Sequence, residues 1–140
     1  MLPYSGTVRA QTARNWIDLA LWGASGVLLA LSFVLSWGAP PDIGPDFDWA
    51  DKVWHFLGYG ALTGTLLLAA VWRPGRGEGR FPGAGLWVAV GVLAVAWLTE
   101  ALQGPFGRDF DPTDALADVA GIALALTAWK AARRRVLRPN

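Results

Sequence analysis

The sequence predicts an all-α fold: a polytopic membrane protein built as a four-transmembrane-helix bundle, in one domain over residues 1–140. Three observations carry that prediction. Hydrophobic residues make up 54% of the chain and charged residues only 16%, against about 25% charged in an average soluble domain. The apolar residues run all the way round each candidate helix rather than forming the stripe that a soluble helix buries, a pattern suited to lipid as solvent. Four stretches are long enough to cross a bilayer, which takes about 20 predominantly apolar residues.

The first stretch runs from Asn15 to Trp37 and is interrupted only by Asp18. It follows Arg9 and Arg14, as a secretory signal would. Its apolar run exceeds the about 7–15 residues of a signal core, and no clean small-residue cleavage site follows, so a retained helix is expected. The second stretch is Asp51 to Trp72, the third Ala84 to Gln103 and the fourth Pro112 to Trp129. Gly38–Asp42, Arg73–Gly77 and Gly104–Arg108 link them, each rich in helix breakers. Links this short lay sequential helices side by side and antiparallel. The chain has no cysteine, which excludes disulfides and thiolate chemistry.

Orientation follows from the cations in the flanks. One side receives Arg9, Arg14, Arg73, Arg76, Arg80, Lys130, Arg133, Arg134, Arg135 and Arg138; the other has only Lys52 and Arg108, amid Asp42, Asp46, Asp48, Asp109 and Asp111. Both termini are therefore expected in the cytoplasm. Most of the nine tryptophans fit an aromatic belt, with Trp16, Trp72, Trp87 and Trp129 at cytoplasmic helix ends and Trp37, Trp49 and Trp54 at outer ends. The Lys130–Arg138 cluster reads as a juxtamembrane, lipid-contacting segment rather than a nucleic-acid site, and no nucleic-acid partner is expected.

The remaining polar residues collect at the outer ends of helices far apart in sequence: Asp51, Lys52 and His55 on the second, Glu100 and Gln103 on the third, Arg108, Asp109 and Asp111 in the loop, Asp114 and Asp118 on the fourth. At about 1.5 Å of rise per residue, His55 lies roughly 6 Å inside Asp51 and Asp118 roughly 6 Å inside Asp114. Ionisable groups at such depth persist when they face a partner or a cavity, so Asp51, Lys52, His55, Glu100, Gln103, Arg108, Asp114 and Asp118 form the candidate ligand-binding set, with His55, Glu100 and Asp118 as the catalytic candidates if there is chemistry. Simpler roles compete. Asp111-Pro112-Thr113-Asp114 is a good helix start, so Asp111 and Asp114 could act as caps, as could Asp48 and Asp51. Lys52 and Arg108 could be counter-ions, Gln103 an interhelical hydrogen bond, and the whole a structural network. On the second helix, Asp51, His55, Gly58, Leu62 and Thr65 share one stripe. Gly60-x-x-x-Gly64 and Gly121-x-x-x-Ala125 permit close helix packing, within the chain or in a homo-oligomer, with Gly58 and Gly121 expected to close the helices beneath the polar residues.

Asp51-Lys52-x-x-His55-Phe56-x-x-Tyr59, then Glu100-x-x-Gln103, then Arg108-x-x-Asp111-x-x-Asp114-x-x-x-Asp118-x-x-Gly121 resembles the VanZ-like family of small bacterial membrane proteins, over roughly Asp51 to Ala125. Where that family commonly has asparagine, this chain has Asp118. The resemblance implies a multi-pass protein of the bacterial cytoplasmic membrane, with a family link to teicoplanin resistance, and supplies no chemical mechanism.

Three functions are compatible with these residues. In a binding or envelope-modulating protein, Lys52 and Arg108 would hold an anionic group while His55, Glu100, Gln103 and Asp118 fix polar parts of a membrane lipid, a lipid-linked wall precursor or a lipoglycopeptide. This reading is preferred because the chain offers no recognisable nucleophile–base pair. In a membrane-embedded enzyme, the histidine and carboxylates would work as acid and base or bind a divalent metal, although the spacing matches no established zinc signature; no cofactor is expected apart from such a metal. A proton-coupled carrier is disfavoured, because no polar residues continue toward the cytoplasmic side.

Overall fold

The computed structural model describes residues 5–37, 49–70, 83–103 and 111–136. They form four helices in chain order: α1 (Ser5–Trp37), α2 (Ala50–Ala70), α3 (Ala84–Ala101) and α4 (Pro112–Val136). The all-helical expectation holds, with altered boundaries. α1 begins at Ser5 rather than Asn15. α4 continues beyond Trp129 and carries Arg133, Arg134 and Arg135 in its last turn, where cations complement the negative end of the helix dipole. The predicted links, with Arg108 and Asp109, lie outside the described residues.

Local chemistry sets the helix ends near the polar residues. Asp111 caps α4, its Oδ1 accepting from the Thr113 N–H at 2.8 Å and the Thr113 hydroxyl at 2.7 Å, while Pro112 needs no N–H partner at the first helical position. α3 starts after Gly83, whose φ of 84° is left-handed and open to glycine without a Cβ penalty. It ends as the Leu102 N–H bonds the Leu98 carbonyl and the Gln103 N–H the Glu100 carbonyl, both at 3.1 Å.

Among the described residues, three helices are long and apolar enough to cross a membrane: Ala10–Val34 of α1, Ala84–Ala101, and Pro112–Arg135 of α4. α2 does not meet that measure over its described residues, and Asp51, Lys52 and His55 lie in its first two turns. Large apolar side chains such as Trp16, Leu19, Leu86, Trp87 and Leu116 point outward. In water they would form an adhesive surface; against acyl chains they cost nothing. These features point to a membrane protein.

α2 is the centre of the bundle. It packs on α1, α3 and α4, most extensively on α4. Lys52 meets Asp114, His55 meets Asp118 and Gly60 lies against Gly121, so α2 and α4 run parallel. Tyr59 meets Thr99, and Gly85 lies beside Leu67, so α3 runs antiparallel to α2. This is the arrangement that short links between sequential helices require. The core is small: Tyr59, Leu62, Ala89, Val92, Ala96 and Ile122. α1 is attached partly through Ser25, whose hydroxyl lies 3.1 Å from that of Thr65.

One packing expectation is corrected. Gly58 does not close the helices: a Cβ there would meet nothing within 4 Å. The close approach is between Gly60 and Gly121, where a Cβ on Gly121 would collide with the Phe56 carbonyl oxygen and lie 3.1 Å from the Gly60 nitrogen. Residues two apart on a helix point about 200° apart, so the error is one of face. The stripe expected on α2 does not face a single neighbour. A helix packed on three sides has no one buried face: Asp51 and His55 turn to α4 while Thr65 turns to α1.

Candidate functional site

Parallel α2 and α4, with the C-terminal end of α3 alongside, bring the predicted polar residues into one cluster. It is graded in depth. Asp111 and Lys52 form its rim, with side chains 41% and 29% exposed. His55 lies beneath at 10%, and Asp114, at 3%, and Asp118, at 1%, are sealed from solvent. Glu100 and Gln103 close it from the α3 side and are also buried.

At the rim, the Lys52 ammonium donates to Asp51 Oδ2 at 3.0 Å, Asp111 Oδ2 at 3.1 Å and Asp114 Oδ1 at 3.2 Å. Asp51 Oδ1 also accepts the Lys52 backbone N–H at 2.9 Å. Three carboxylates around one ammonium use all three of its protons. Lys52 is thus a tie between the starts of α2 and α4 rather than a cation waiting for an anionic group. Asp111 serves both as cap and as partner. The Thr113 hydroxyl and N–H, and then Lys52, hold its carboxyl down at about 2.

Deeper, His55 Nδ1 lies 2.9 Å from Asp118 Oδ1. His55 Nε2 faces Asp114 Oδ2 at 3.7 Å, too far for a hydrogen bond. Gln103 Nε2 donates to Glu100 Oε1 at 3.2 Å. Glu100 Oε2 and Asp118 Oδ2 are buried without a hydrogen-bond partner among the described residues. Such atoms are uncommon in native interiors, and each calls for an explanation. Below the carboxylates, the Tyr59 and Thr99 hydroxyls bond at 2.7 Å and tie α2 to α3. Thr99 also donates to the Ala96 carbonyl at 2.7 Å.

Two trios offer one ligand atom each within 4.8 Å of one another, as a metal ion would need: His55, Glu100 and Asp114, and Asp51, Asp111 and Asp114. The second trio is the one that surrounds the Lys52 ammonium.

The structure therefore brings together Asp51, Lys52, His55, Glu100, Gln103, Asp114 and Asp118 of the predicted set, while Arg108 lies outside the described residues. Within the cluster, Asp118 pairs with the histidine, and Asp114 shares the space with His55 and Glu100. The pairing of Tyr59 with Thr99 was not anticipated. Tyr59 stood in the motif, but a lone threonine in an apolar helix gives no signal until its neighbour is known. A separate apolar groove of about 350 Å³ between α1, α2 and α3, lined by Trp22, Leu29, Leu62, Leu66 and Val92, contains none of the predicted site residues.

No protein-family model, curated protein or solved structure matches the chain. The VanZ-like resemblance rests on the residues quoted above alone.

Proposed function

We propose that this is a multi-pass protein of a bacterial cytoplasmic membrane that binds the polar head of an envelope amphiphile at its outer face. In this reading α2 is a fourth span and both termini are cytoplasmic, as the arginine distribution requires. The observation that carries the reading is the buried cluster itself. Three helices deliver Glu100, Asp114, Asp118 and His55 to one end, and two carboxylate oxygens there lack hydrogen-bond partners among the described residues. Leaving an acceptor buried and unsatisfied costs about 1–3 kcal/mol, which a bound molecule offsets if it donates hydrogen bonds.

That chemistry selects the class of ligand. Hydroxyls and amines are donors, so a sugar- or amine-bearing head fits: a lipid-linked wall precursor or a lipoglycopeptide rather than a bare phosphate. With Lys52 saturated by three carboxylates, an anionic group gains little from it. A role in glycopeptide resistance follows the family resemblance and is part of this proposal.

The test is binding of a lipid-linked disaccharide-peptide by the full chain in phospholipid nanodiscs. Saturable binding above that of an unglycosylated phospholipid, weakened at least tenfold by Glu100→Gln and Asp114→Asn, is expected. Equal binding of both probes would overturn the reading. Conversion of the probe by the wild type but not by Glu100→Gln would replace it with an enzymatic one.

A further inference from the structure

We infer that His55, Glu100 and Asp114 form a binding site for one divalent transition-metal ion, of the zinc or manganese class. The inference rests on the reading of this cluster as a ligand site and deepens it: the ion is the inner partner on which a ligand's polar head would close.

The arrangement of partners carries the argument. Each of the three side chains has one atom held by a neighbour and another left over. His55 gives Nδ1 to Asp118 Oδ1 at 2.9 Å. With Nδ1–H donating to that carboxylate, the neutral tautomer has its Nε2 lone pair available to an ion. Glu100 Oε1 accepts from the Gln103 amide at 3.2 Å, and its Oε2 is buried without a hydrogen-bond partner among the described residues. Asp114 gives Oδ1 to Lys52 at 3.2 Å, leaving Oδ2 at 3.7 Å from His55 Nε2. Ligand atoms at about 2.0–2.2 Å from a common ion stand about 3–3.5 Å apart, so that gap needs only a small closure. All three residues offer atoms within 4.8 Å of one another. A second set of side chains that orients the ligands, with a carboxylate on the far nitrogen of the histidine, is how protein metal sites are held.

The neighbouring trio supplies the contrast. Asp51, Asp111 and Asp114 have the same spacing, but their charge is met by the Lys52 ammonium. Among the described residues, all three carboxylates of that trio meet the Lys52 ammonium, whereas in the deeper one only Asp114 does and Glu100 Oε2 keeps no hydrogen-bond partner. The donor set of one imidazole and two carboxylates suits zinc, manganese or iron rather than magnesium or calcium, which favour all-oxygen shells. Three protein ligands leave a coordination position open on an ion of this class, and the half-exposed rim at Lys52 and Asp111 is the route by which a ligand would reach it.

The full chain in detergent, stripped with a chelator and titrated with zinc and then manganese, should take up one ion per chain. His55→Ala, Glu100→Gln and Asp114→Asn should each weaken uptake more than tenfold. Asp118→Asn should weaken it by about 10–100-fold, as loss of an orienting carboxylate does, and Asp18→Asn on α1 should leave it unchanged. X-ray absorption of the zinc-loaded wild type needs no variant, so misfolded mutants cannot obscure the result. It should show one imidazole and otherwise oxygen ligands. An all-oxygen shell, or no saturable uptake by the wild type, overturns the site. Metal uptake without binding of the lipid-linked probe sinks the headgroup reading alone. Probe binding that is indifferent to chelator, without metal uptake, sinks the metal site alone.

Discussion

Gly121→Ala tests the contact on which the cluster depends. The added methyl would collide with the Phe56 carbonyl oxygen and lie 3.1 Å from the Gly60 nitrogen. Both obstacles are backbone, so no side chain can rotate away, and α2 and α4 must separate. Overpacking of this kind costs about 1–3 kcal/mol. Alanine also improves helix propensity by about 1 kcal/mol, so the steric term needs a control with the same gain. Gly58→Ala provides it, because a Cβ there meets nothing within 4 Å. The difference between the two variants isolates the collision, and Gly121→Ala should be the less stable by about 1–3 kcal/mol in thermal unfolding in detergent. The effect should reach the site, since Gly121 lies one helical turn from Asp118, which holds His55 at 2.9 Å. His55 is the sole histidine, so its carbethoxylation, followed by mass spectrometry, reports directly on that bond. It should speed up in Gly121→Ala and stay unchanged in Gly58→Ala. Equal stability of the two variants would refute the close-contact account.

Lys52→Met should strand Asp51, Asp111 and Asp114 and destabilise the chain by about 1–3 kcal/mol; adding Asp114→Asn should recover part of that loss in a double-mutant cycle, and strict additivity would show that the two do not interact. The acid limb of stability should include Asp111. Its folded pKa, at about 2, lies below the ordinary carboxyl value of about 3.9. Its contribution is therefore complete above that value and fades as pH falls through about 2. Asp111→Asn should flatten the unfolding profile over that window, and an unchanged profile would remove the cap and its lysine partner from the account. For orientation, a reporter active only in the cytoplasm should be active when fused after Arg138, and a cysteine introduced between Asp42 and Asp48 should react with an impermeant reagent from outside. Labelling only after lysis would reverse the topology.

Much of this arrangement is legible in the sequence because it follows from topology. Short links make sequential helices antiparallel, so the starts of α2 and α4 and the end of α3 must share one side, and Asp51, Lys52, His55, Glu100, Gln103, Asp114 and Asp118 arrive there together. The pairings within the cluster are not legible. Asp111, Asp114 and Asp118 are spaced three and four apart and share one face of α4. Which of them meets Lys52 and which meets His55 depends on the axial offset between α2 and α4. That offset is fixed by Gly60 against Gly121; both open small-residue spacings visible in the sequence, but nothing in those spacings says that these two glycines meet each other. The boundaries of α1 and α4 were underestimated for a different reason. Polar and basic residues end the apolar run without ending the helix, since Lys, Arg and Gln are good helix formers.

The balance of charge bears on what the cluster can receive. Among the described residues it contains five carboxylates, from Asp51, Glu100, Asp111, Asp114 and Asp118, and two basic side chains, Lys52 and His55. Lys52 spends its protons at the rim on three of those acids. Below it, the buried Glu100 and Asp118 each keep one oxygen unpartnered, with a histidine that shares its proton with only one of them. An acid at the bilayer centre costs about 2.5–3.5 kcal/mol on the insertion scale and less near the interface, and several close together repel one another as well. Binding an anion directly would add to that repulsion, whereas a cation or a set of hydrogen-bond donors would relieve it. For the proposed site this ranks the ligands: a cation or a head that donates hydrogen bonds would relieve the cluster directly, whereas an anionic part of an amphiphile would need positive charge among the carboxylates first.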